Sequence, residues 1–132
     1  MLDRKNMKIT ITKKSFLLII LSLVSIACKT SDLPEVKNPT YQSFNEGNEK
    51  GYLVDFELSN DKALPSAVII NSLEHQVLPT DKKGLSYHLR ILAESRNLFG
   101  FKPKTVEKPN GILFQKDSTK IFKEVPFQLI EE

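Results

Sequence analysis

Hydrophobic and polar residues alternate over positions 54–59, and Tyr52 extends the apolar side. Tyr52, Val54, Phe56 and Leu58 fall on one side, and Asp55, Glu57 and Ser59 fall on the other. A period of two is the mark of a half-buried strand. The pattern returns at 85–92, where Leu85, Tyr87, Leu89 and Ile91 alternate with Ser86, His88, Arg90 and Leu92. Positions 67–70 (Ala-Val-Ile-Ile) follow Pro65 as a short, β-branched run, expected to be a strand buried on both faces. Positions 75–78 form a further short segment that stops at Pro79. Segments 112–116 and 120–125 flank Asp117-Ser118-Thr119 and predict a hairpin with a three-residue loop. Positions 127–130 close the chain, with Pro126 marking a bulge or an edge. The stretch 91–96 has residues suited to a helix, but its position favours the end of a strand. Six or seven short strands separated by turns predict an all-β domain, a small antiparallel β-sandwich that is Ig-like or an open barrel.

The start of the chain obeys different rules. Lys13 and Lys14 precede an apolar run over 16–27, and Cys28 and the polar 29–32 stretch follow it. The run is too short for the roughly 20 residues that span a bilayer as a helix. It fits the apolar core of a cleaved signal helix, with a basic flank and small residues before the cut. Positions 29–47 carry Pro34, Pro39 and many polar residues and show no helical or strand period. They read as a polar tether, with Tyr41 and Phe44 docking near its end. The domain boundaries expected are therefore 1–27 signal peptide, 28–47 tether and 48–132 β-sandwich.

Val24-Ser25-Ile26-Ala27-Cys28 resembles the lipobox of bacterial lipoproteins. That resemblance implies cleavage after Ala27, a diacylglycerol thioether on Cys28 and an acyl chain such as palmitate on the new amino terminus. The wider layout, with the 44–52 stretch Phe-Asn-Glu-Gly-Asn-Glu-Lys-Gly-Tyr and the closing 111–130 segment, resembles small envelope lipoproteins of the Bacteroidetes. It implies a lipid-anchored protein of the cell envelope, on the periplasmic or surface face of the outer membrane. Met7 also precedes the basic flank, so it is a second candidate start.

Cleavage changes the charge. The full chain has 19 basic and 16 acidic side chains, of which five basic ones and one acidic one precede Cys28. The remainder carries 14 and 15, a net of −1. No excess of cations is left to hold a phosphate backbone, so no nucleic-acid partner is expected. A single cysteine excludes an internal disulfide, and lipid on it excludes a thiol ligand or nucleophile.

Chemistry is sparse. His75 and His88 flank the 79–84 loop and would meet if the two segments formed a hairpin. The register that buries Val77 with Tyr87 and Leu89 sends His88 to the opposite face, which argues against a two-histidine site. A third ligand would have to come from Glu74 or Asp81, so no metal and no cofactor are expected. Asp55 and Glu57 lie ~7 Å apart on one strand face. That spacing suits paired-carboxylate hydrolysis, but a solvated sheet face explains it more simply. No Gly-x-Ser-x-Gly elbow and no glycine-rich phosphate loop occur.

The 96–104 segment, Arg-Asn-Leu-Phe-Gly-Phe-Lys-Pro-Lys, is the best candidate contact. Arg96, Phe99, Phe101 and Lys102 would meet an envelope protein or a glycan. The competing expectation is that Leu98 and Phe99, or Phe101, fill the core as a further strand. The function expected is a non-enzymatic binding or accessory module. The alternatives are a small envelope hydrolase using surface carboxylates or His88, and an inhibitor or immunity-type module.

Overall fold

The computed structural model describes residues 33–131; Ala27, Cys28 and the rest of the expected signal peptide lie outside them. The domain is all-β. In chain order its strands are β1 (Val36–Asn45), β2 (Glu49–Leu58), β3 (Leu64–Ile70), β4 (Leu73–Gln76), β5 (Lys82–Lys83), β6 (Ser86–Ser95), β7 (Lys104–Thr105), β8 (Gly111–Lys116), β9 (Thr119–Glu124) and β10 (Gln128–Leu129). Seven have four or more residues, and the other three are two-residue edge pieces. They form two five-stranded sheets, ordered β10-β1-β2-β6-β5 and β7-β4-β3-β8-β9. Every pairing is antiparallel except that of β1 with β10. The two sheets make a β-sandwich.

The alternating residues supply the core. On the first sheet Val54 stands opposite Leu89, and Phe56 stands opposite Tyr87. On the second, Val68 stands opposite Ile112, and Pro65 opposite Phe114. These side chains are buried, and burial of each large apolar one contributes about 1.5–3 kcal/mol. The Phe56 and Tyr87 rings stack at 4.9 Å, and Phe127 meets Phe56 edge-on at 6.1 Å. Positions 67–70 are buried throughout, as the β-branched run predicts. β6 continues to Ser95, so 91–96 is a strand end and not a helix.

Four expectations are corrected. The tether does not reach position 47, because Val36–Asn45 is a full strand paired along β2. Its pairing shifts between Lys37 and Thr40, where Asn38 has a positive φ of 50° and Pro39 has no N–H to donate. Beyond that bulge Tyr41 pairs with buried Val54, while Phe44 pairs with Gly51 on the other face. The two aromatics sit three apart, so no period of two emerges from them.

The 112–125 hairpin has a two-residue loop: Lys116 pairs with Thr119, and Asp117 takes the left-handed region with a φ of 56°. The segment at 75–78 does not pair with the one at 85–92. A 3₁₀ turn over Pro79–Asp81 diverts the chain, and β4 and β6 belong to different sheets. Pro126 lies within neither a strand nor a bulge. It falls between β9 and β10, where the chain crosses from the second sheet to the first.

Candidate functional site

β2 and β6 place three pairs of residues on the outward face of the first sheet: Leu53 opposite Arg90, Asp55 opposite His88, and Glu57 opposite Ser86. Their inward neighbours are the buried core, so the pleat turns these side chains to solvent. Asp55 Oδ1 and His88 Nδ1 are hydrogen-bonded, with side-chain exposures of 52 % and 67 %. Glu57 has no described partner of that kind and stands in water. The carboxylates thus share a face as their spacing predicts, but water surrounds them and no wall encloses a substrate.

His75 is far from this pair in the sheet order. It sits on β4 opposite Val68, partly buried, with Nε2 3.7 Å from Asp81 Oδ2. That same oxygen accepts the Leu78 N–H at 2.8 Å, which closes the 3₁₀ turn. Asp81 therefore acts as a structural cap. The histidines do not converge, and among the described residues no group of three His, Cys, Asp or Glu could hold a metal ion. Glu74 is engaged elsewhere, in an ion pair with Lys104.

Arg90 organises the far end of the same face. Its guanidinium donates to Glu46 at 3.0 Å and to Glu49 at 3.2 Å and lies 4.4 Å from the centre of the Phe44 ring. Ser95 donates to Glu49 at 3.1 Å. Beside this network runs an open cleft of about 780 Å³ lined by Phe44, Glu46, Lys50, Tyr52, Leu53 and Glu94. Each charge of the Arg90 network is satisfied internally. The alternation pattern could not reveal it, since two of its members lie in or beside the β1–β2 turn.

The 96–103 loop leaves β6 next to that turn, and the Arg96 N–H donates to the Asn48 carbonyl at 2.8 Å. The Phe101 N–H donates to the Leu98 carbonyl at 3.2 Å across a tight turn. Gly100 occupies its third position with a φ of 71°, which glycine adopts without strain. The turn leaves Phe99 wholly in solvent, at 108 % of its reference exposure, and Leu98 at 53 %. Phe101 and Pro103 are half-buried and fasten the base. The expectation that Leu98 and Phe99 fill the core as another strand is therefore corrected: the glycine turn directs them outward. Arg96 and Lys102 are exposed as well.

No protein family, curated protein or solved structure matched the chain.

Proposed function

We propose that the chain is a lipid-anchored β-sandwich module of the bacterial cell envelope, acting as a non-enzymatic binding or accessory protein. The anchor is Cys28, exposed as the new amino terminus by cleavage after Ala27. Several acyl chains there hold a protein stably at a membrane where one chain would not. Such tethering raises the domain's local concentration for neighbouring envelope components.

The observation that carries the binding role is Phe99. A large aromatic held out on a fixed turn costs solubility and contributes nothing to the core. Asp55 and His88, in contrast, form an open pair, each more than half exposed, and lack the enclosure that tunes acids and bases for catalysis.

The test is metabolic labelling with a clickable fatty acid in wild type and Cys28→Ala. Label on the wild type that is lost in the variant is the expected result; equal label in both rejects the anchor.

A further inference from the structure

Phe99 is the only fully exposed large apolar side chain among the described residues. The loop that carries it has an unusual charge balance. Positions 96–104 hold Arg96, Lys102 and Lys104 and no carboxylate. Lys104 is paired with Glu74, whereas Arg96 and Lys102 have no ion-pair partner among the described residues. An apolar tip above a cationic collar suits a lipid interface: the tip enters the boundary between headgroups and acyl chains, and the cations meet anionic headgroups.

The fold sets where this tip can reach. The chain joins the first sheet at Val36, opposite Leu58, and the loop departs at Ser95, opposite Glu49. Those are the two ends of β2, nine residues apart, or ~30 Å at the rise of a strand. Pro34 is buried, and the Glu35 N–H donates to Ser59 Oγ at 2.9 Å, so the chain is fastened from Pro34 onward. Cys28 precedes Pro34 by six residues, a covalent reach of at most ~21 Å. So short a tether keeps that end of β2 near the bilayer, and a domain anchored at Cys28 can then lie along the membrane with the loop touching the same leaflet.

We infer that the 96–104 loop is a second, non-covalent membrane contact that seats Leu98 and Phe99 in an anionic leaflet. The two-point arrangement rests on the proposed anchor, but the loop's own affinity for lipid does not. Two contacts fix the domain's orientation, where one tether would leave it free to tumble.

The chain has no tryptophan, so Phe99→Trp supplies a single indole, excited selectively at wavelengths beyond the absorption of the three tyrosines. The variant is tested acylated, and also as the unacylated chain from residue 28, which keeps all ten strands. Both are added to vesicles of phosphatidylcholine alone or mixed with phosphatidylglycerol. On the mixed vesicles the introduced indole should shift its emission to the blue, resist acrylamide and be quenched by lipids brominated on their acyl chains. The indole of Leu64→Trp, at an exposed position on β3 in the second sheet, should do none of these. Added to Phe99→Trp, Arg96→Gln and Lys102→Gln should each weaken partitioning of the unacylated chain about fivefold.

An indole at the loop tip that stays in water on anionic vesicles overturns the inference. So does one that shifts only when a purified envelope protein is added, since its seat is then a protein pocket. If native Cys28 proves unmodified while the unacylated Phe99→Trp chain still seats its indole in lipid, the anchor falls and the loop contact stands.

Discussion

Gly51 on β2 packs against the backbone of Ile91 on β6 so closely that a Cβ at position 51 would overlap the Ile91 carbonyl oxygen and lie 2.9 Å from its carbon. The approach occurs where the β2–β6 pairing shifts between Lys50 and Gly51. Backbone atoms cannot yield as a flexible side chain can. Gly51→Ala should therefore destabilise the fold by about 3 kcal/mol. Gly47→Ala, in the open β1–β2 turn, meets no atom and should lose less, its cost coming only from a φ of 74°. Urea denaturation of the two variants checks the ranking, and equal losses would contradict it.

Asp55 and His88 illustrate a different balance. Their pair is well aligned by the β2–β6 register, yet both side chains are more than half exposed. Water screens them, so Asp55→Asn or His88→Ala should change stability by less than ~1 kcal/mol. A loss of several kcal/mol in either variant would show that the pair is shielded in a way that this exposure does not suggest.

The strand β1 invites a truncation. A chain starting at residue 29 retains all ten strands and should melt cooperatively, whereas one starting at residue 46 lacks β1, the strand paired along one edge of β2 and with β10, and should not. Far-ultraviolet circular dichroism with thermal scans distinguishes them. A cooperative melt of the shorter chain would restore 36–45 to the role of a tether.

That strand also shows how much the amino-acid pattern revealed. β2 and β6 were legible because one face of each is buried and the pleat prints that face at every second residue, β3 because a β-branched run buried on both faces follows a proline, and the β8–β9 hairpin because turn residues separate two apolar segments. β1 was hidden because Asn38 and Pro39 break its register and its two aromatics face opposite ways. At the candidate site, the composition of the 96–104 segment was legible. Which way its aromatics point was not, since a Leu-Phe-Gly-Phe run serves a core strand or an exposed turn equally well. The hydrogen bonds at Arg96 and Phe101 decide the matter, and that of Arg96 depends on a neighbour distant in sequence.

Tyr87 offers a pH test. Burial, with Asp61 nearby as a lesser cause, raises the pKa of its phenol above the usual ~10. The folded state thus holds this proton to higher pH than the unfolded state does. The associated stability is complete below ~10 and is lost as pH climbs through the raised value. Absorbance titration should show one tyrosine ionising late, and Tyr87→Phe should remove that phase. Three tyrosines titrating together would contradict the burial.

The central proposal, a domain held to the envelope by lipid on Cys28, is tested most directly by the intact mass of the protein purified from native membranes. The expected species begins at Cys28 and carries the added mass of a diacylglycerol and an amide-linked acyl group. An unmodified chain beginning after Cys28 would contradict it.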